Sequence, residues 1–341
     1  MPPTSCDRDD AVTAAAGHTP TPTPSARVPG VEVMAVPENI GANEPTGIPG
    51  SAVSTLPAAL WRERAAEHRR RIDELLDTHP PRLPDGSPHP VWSFLFTYYS
   101  FRRAALRTWH PGFGVVLCDA ADYVSRRGYR RVAGTTDDIA VTVDVSMLRR
   151  RRDLLAYVHR LLSATAARPA RLHCFGLHEW AMVYRTAEVR HDSVPLRLGS
   201  AGTDEVVESL PLRCTHFDAF RFFTDEAAPR NELPLEREGQ IASEQPGCVH
   251  AGMDLYKWAT KLSPLLPAEL VADAFALALD LRELDMKASP YDLRDHGLEP
   301  IAIETTAGRA AYAREQERLA GRAAELRDGL LTACDALMAA E

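Results

Sequence analysis

Lysine is nearly missing from this chain: Lys257, Lys261 and Lys287 are the full set, so almost all of its 39 basic side chains are arginine. That bias is the mark of a GC-rich genome and lowers the functional weight of any single arginine run. No apolar run approaches the ~18 residues a membrane helix requires. The N-terminus also lacks the charged start and apolar segment of a secretory signal, so a cytoplasmic protein without a membrane partner is expected. Six cysteines (Cys6, Cys118, Cys174, Cys214, Cys248 and Cys334) scattered over 341 residues do not make a disulfide framework. None stands in a CxxC pair, which removes the strongest signature of structural zinc. GxGxxG after a strand, GxxxxGK[ST], GxSxG and HExxH are all absent, so dinucleotide-binding, P-loop, serine-hydrolase and zincin chemistry have no support. A helix-hairpin-helix pattern is absent too.

What is present is enough apolar material, 45% of the chain, for one large domain or two ordinary ones. The net charge of −8 argues against a general nucleic-acid surface, but it is unevenly spread. Residues 61 to 200 hold 23 basic against 15 acidic side chains, whereas residues 201 to 341 hold 14 against 26. RRGYRR at 126 to 131 and RRRR at 149 to 152 are the basic concentrations, readable as phosphate contacts or as solvated helix faces.

Residues 1–55, rich in Pro, Gly, Thr and Ala without periodicity, read as a disordered extension. Residues 56–341 read as a single mainly helical domain, α+β in class, with a helical core plus a β-hairpin. Helices are expected over ALWRERAAEHRRRIDELLD, VWSFLFTYYSFRRAALRTW, DAADYVSRRGY, 146 to 165 and 173 to 185, then in three long stretches from residue 250 onward. Short strands are expected at GVVLC and IAVTVDV. SVPLRLGSAGTDEVVESLPLRCTHF, with glycines at its centre, reads as the hairpin. The polar stretch 226 to 248 is longer than a casual connection, a length often kept for function.

Three constellations carry candidate chemistry. In HCFGLHEWAMVYR, Cys174, His178 and Met182 fall at helical spacing with Glu179 beside them. His178 and Glu179 suit a pocket wall; Cys174 and Met182 suit the core. In GCVHAGMDLYKWATKLSP, His250, Asp254, Trp258 and Lys261 share one helix face, and the preceding polar stretch brings Arg230, Arg237, Gln240, Glu244 and Gln245. In DLRELDMKASPYDL, Asp285 sits near a helix end with Arg282 three residues before it as its ion-pair partner. Each set also reads as ordinary core and ion pairs. Cys174/His178, Cys214/His216 and Cys248/His250 are three close pairs able to bind zinc or iron, the alternative to a site with no cofactor.

The strings HPVWSFLFTYYSFRRAALRTWHPGFGVVL, LHCFGLHEWAMVYR, PLRCTHFDAFRFFT, QPGCVHAGMDLYKWATKLSPLLP and LDLRELDMKASPYDL are similar to an actinobacterial family whose members are labelled 3-methyladenine DNA glycosylase. The resemblance spans residues 57 to 335. It implies hydrolysis of the N-glycosidic bond of an alkylated base in DNA repair. That reaction needs an extruded base between aromatic faces and a carboxylate to activate water or stabilise an oxocarbenium-like sugar. Trp180, Trp258, Tyr98 and Tyr99 are the candidate stacking residues, with Arg230, Arg237 and Gln245 as further substrate contacts. Asp254 and Asp285, with Glu179, His178 and His250, are the candidate catalytic groups. Two other readings stay open: an enzyme for a small molecule, metal-dependent or not, with a His/Glu/Asp pocket, and a helical ligand-binding or scaffold protein. The site is expected where the 173 to 185 stretch, the 230 to 250 stretch and the 250 to 262 helix converge.

Overall fold

The described residues begin in a strand, β1 (Ser54–Leu56), which takes up the last two positions of the expected extension. The computed structural model describes residues 54–132, 139–186 and 194–340, so residues 1–53 of that extension, with Cys6, lie outside the described residues. Pro57 then opens α1 (Ala58–Thr78), which buries Trp61, His68, Ile72 and Leu76 along one stripe and leaves its charges outside. The aromatic stretch that follows is not one helix. It forms α2 (Phe94–Thr97) and α3 (Arg103–Leu106), because Ser100 adopts φ +56°. The Phe101 N–H reaches back to the Phe96 carbonyl at 3.1 Å, a left-handed helix stop.

A small sheet comes next. β2 (Val115–Leu117), α4 (Ala121–Val124), β3 (Tyr129–Arg131) and β4 (Val141–Val143) follow in turn. The helix expected through DAADYVSRRGY is thus a single turn, and its tail is a strand. The four strands lie in the order β1-β2-β4-β3, with β1 parallel to β2 and the other pairs antiparallel. Asp144 caps α5 (Val145–Arg150) by accepting from the Ser146 N–H at 2.7 Å. The helix expected to continue to 165 restarts at Arg152 as α6 (Arg152–Ala166).

The 173 to 185 stretch holds only a five-residue helix, α7 (Leu177–Ala181), because Phe175 and Gly176 both have positive φ, +50° and +74°. The hairpin expected at 193 to 217 is also overturned: Gly199–Ser209 is a helix, α8. Thr203, Val206 and Val207 bury one helical face there, and Gly199, at φ +65°, starts the helix instead of turning a hairpin. α9 (Phe217–Phe220), two 3-10 turns at Ala228–Arg230 and Arg237–Gly239, and α10 (Gln240–Ser243) organise the long polar stretch.

The core is made by the last three helices. α11 (Val249–Leu262) lies against α12 (Ala268–Lys287), and α13 (Thr306–Ala339) covers both and reaches α6. At 34 residues α13 is about 51 Å long, and Thr305 caps it by accepting from the Gly308 N–H at 2.9 Å. α1 packs on α12 as well. The result is mainly α with a small sheet, all described residues falling in one compact unit. Among them no helix is long and apolar enough to cross a membrane.

Candidate functional site

Eleven of the fourteen residues of α11 are buried, including His250 and Asp254, so this helix carries its polar groups into the core and each needs a partner there. The partners come from five directions: Tyr99 between α2 and α3, α7, the residues that open α9, the end of α10, and the last turns of α12. Three imidazoles stand in a row. His250 meets the edge of His178 at a centroid distance of 4.5 Å and stacks on His216 at 5.4 Å. Each outer imidazole belongs to its own carboxylate group.

The inner group is His178, Glu179, His250 and Asp285, whose ligand-capable atoms lie within 4.8 Å of one another. His178 Nε2 is 2.7 Å from Asp285 Oδ1, and its Nδ1 is 3.3 Å from Cys174 Sγ. Arg282, 1% exposed, donates to Glu179 Oε1 at 3.1 Å and Asp285 Oδ2 at 3.3 Å, with its guanidinium 4.2 Å from the Phe94 ring centroid. Such burial of a cation is sustained by this double pairing together with the Phe94 ring and the Val91 carbonyl. Burial pulls the His178 pKa down, but the Asp285 carboxylate more than reverses it and holds the imidazole well above its ordinary value. His250 moves the opposite way, pushed well below by burial and then by the charge on His178. A cationic and a neutral imidazole therefore sit edge to edge, and His250 Nδ1 has no hydrogen-bond partner.

The outer group is His216, Glu244 and Asp254, again within 4.8 Å. His216 Nε2 is 3.4 Å from both Glu244 Oε1 and Asp254 Oδ2, and its Nδ1 has no partner. Asp254 accepts from the Tyr99 hydroxyl at 2.8 Å and from Lys257 Nζ at 2.8 Å, while Lys257 also reaches Asp218 at 3.0 Å. Burial alone would raise the Asp254 pKa; the Lys257 ammonium and His216 hold it well below the usual carboxylate range. Glu244 goes up, because burial outweighs the attraction of His216.

A cavity of about 570 Å³ opens beside this outer group. Its walls include Tyr98, Tyr157 and Trp258, and its polar lining includes Asp218, Arg237 and Lys257. Asp254 does not line it; Tyr99 and Lys257 stand between the two. Arg221 and Arg237 pair with Asp218 at 3.4 and 3.2 Å, and the Lys257 and Lys261 ammoniums lie 4.6 and 5.2 Å from the Trp258 ring centroid.

The structure brings His178, Glu179, His250, Asp254 and Asp285 into one buried seam, and Tyr98, Tyr99, Trp258 and Arg237 to the cavity. It does not bring Trp180, Arg230 or Gln245 there. Trp180 is fully buried and donates to the Ala288 carbonyl at 2.8 Å. Arg230 donates to the Val207 and Glu208 carbonyls at 3.3 Å. Gln245 accepts from the Arg171 and Gly247 N–H groups at 2.8 Å. Cys174, Cys214 and Cys248 lie outside both convergent donor groups, which pair the three histidines with carboxylates. Sequence reasoning missed Asp218 and Tyr157 as cavity residues. Asp218 carried one faint signal, its place two residues after His216.

No protein family, no curated protein and no solved structure matches the chain.

Proposed function

We propose that the chain is a metal-dependent enzyme for a small molecule, with zinc or iron held by the inner group. The observation that carries this reading is the convergence of His178, Glu179, His250 and Asp285, from three separate helices, on a point where their donor atoms lie within 4.8 Å. The unpartnered His250 Nδ1 fits it, since a buried nitrogen lone pair costs free energy until something binds it. Two imidazoles and two carboxylates suit a first-row divalent cation, which would take the place of the proton that Asp285 holds on His178. Bound there, the ion would act as a Lewis acid or lower the pKa of a water. The protein's own contribution is the outer group: Lys257 and Tyr99 hold Asp254 between the cavity and His216, and Arg237 and Lys257 give the cavity the cations an anionic substrate needs. The unbridged thiols Cys118, Cys174, Cys214, Cys248 and Cys334 support a cytoplasmic home.

Metal analysis of the purified full chain tests this. Near-stoichiometric zinc or iron, lost in His250→Ala while the fold persists, is the expected result. A metal-free protein whose melting temperature is unmoved by added zinc or ferrous iron would sink it.

A second reading, excision of an alkylated base such as 3-methyladenine from DNA, is favoured by the aromatic walls Tyr98, Tyr157 and Trp258 around the Asp218 carboxylate. On this reading Asp218, not the enclosed Asp254, faces the sugar. Lys257, Arg221 and Arg237 keep it ionised, and a cationic base must enter against them. Release of 3-methyladenine from alkylated duplex DNA, reduced at least about 100-fold in Asp218→Asn, is what this reading requires. No release by the wild type refutes it.

A further inference from the structure

A second cavity, of about 600 Å³, lies against the neighbouring face of α11. Tyr256 and Thr260 line it, whereas Lys257 and Lys261, one residue on and so about 100° round the helix, line the first. Four guanidiniums, those of Arg102, Arg126, Arg127 and Arg151, surround it with His68 and His110, and no carboxylate of the described residues lines it.

These cations are not accounted for by internal pairing. Arg102, Arg126 and Arg127 are exposed and make no ion pair among the described residues; Arg126 rests on the Tyr123 ring, 4.9 Å from its centroid. Arg151 is partly buried and donates to the Ser263 carbonyl. Arginines crowded into one concavity repel one another unless an anion joins them. The Tyr256 side chain has no exposure, and its hydroxyl lies against that of Thr260, neither having another partner. Two hydroxyls that meet only each other leave at least one O–H donor over, and both residues line a cavity with guanidiniums that no carboxylate neutralises.

We propose that this cavity binds a phosphate-bearing small molecule. The guanidiniums match a phosphate dianion, whose oxygens accept paired N–H donors, better than a monocarboxylate with only two oxygens. The volume exceeds that of the bare ion, and Phe101, Met147 and Pro264 offer apolar surface for an organic body. A nucleic-acid backbone is met by basic stripes on an open surface; these cations line one hollow together with Tyr256 and Thr260. The arginine runs at 126 to 131 and 149 to 152 contribute here through Arg126, Arg127 and Arg151. This site is independent of the metal and base-excision readings.

Isothermal titration of the full chain with phenyl phosphate, inorganic phosphate and benzoate tests the proposal. Phenyl phosphate binds most tightly on this account. Its affinity falls about tenfold or more in Arg126→Ala/Arg127→Ala, a pair of exposed residues whose loss leaves the fold intact. Tyr256→Phe, which removes one donor and keeps the ring, weakens it about fivefold. The proposal is overturned if the wild type binds neither phosphate, if benzoate binds as tightly, or if the double variant binds phenyl phosphate unchanged. It is overturned equally if that variant loses a short DNA duplex but keeps phenyl phosphate.

Discussion

His110 shows at the scale of one residue how the molecule spends stability on polar groups in confined places. Its Nδ1 meets the Tyr129 hydroxyl at 2.8 Å, and burial, followed by the nearby charges of Arg126 and His68, lowers its pKa to about 4. A histidine lowered in the folded state resists a proton that the unfolded chain accepts near pH 6.5. Its contribution is therefore intact above pH 6.5 and is lost as pH falls toward 4. Denaturant unfolding of ligand-free protein at pH 7 and pH 4.5 should show that loss, with His110→Gln losing about 2 to 3 kcal/mol less than the wild type over the same interval. Equal losses would mean that His110 titrates normally. Arg282 is the opposite case, a fully enclosed cation paired with two carboxylates, one of which, Asp285, it shares with His178. Nothing in LDLRELDMK announced that pairing beyond the neighbour Asp285, because Glu179 reaches it from a helix 103 positions away.

At the scale of elements, the legible parts are those whose signal is local. α1, α11, α12 and α13 are uninterrupted stretches, the first and third opened by a proline and the last capped by Thr305, and the sequence places all four. Spacing also put His250 and Asp254 on one face of α11. Two of the failures share a cause, a backbone in the left-handed region within an expected helix. Ser100 divides the aromatic stretch, and Phe175 with Gly176 shortens the 173 to 185 helix to one turn. α8 errs in reverse, since glycines read as a turn there accompany a helix. Gly176 and Gly199, two of the glycines with positive φ, differ in surroundings. A Cβ at Gly176 would lie 3.0 Å from the Cβ of Ala288, whereas nothing stands within 4 Å of one at Gly199. Gly199→Ala should cost only the conformational strain, about 1 kcal/mol, and Gly176→Ala about 2 to 3 kcal/mol because contact is added to strain. Thermal or denaturant unfolding of the two variants reads the difference directly; equal costs would show that α7 yields to the added methyl.

Across the whole molecule, the seam could not be read because its members meet only after folding. α7, α9, α10, α11 and α12 each supply one or two polar side chains, and no single segment contains enough of them to reveal a centre. The sequence nominated three of these segments from unusual polar residues in apolar surroundings, with Arg282 as the partner of Asp285, and the structure adds Asp218, Tyr157 and the pairings of Arg282 with Glu179 and of Lys257 with Asp218. The two cavities follow the same logic. Arg151, just before α6, lines one and Leu154 and Tyr157 of α6 line the other, and residues 98 to 102 pass from the first to the second across Ser100. α11 is thus a party wall. A tilt or slide that makes room on one side takes it from the other, and linkage requires that whatever one tenant does to its neighbour's affinity, the neighbour does in return by the same factor.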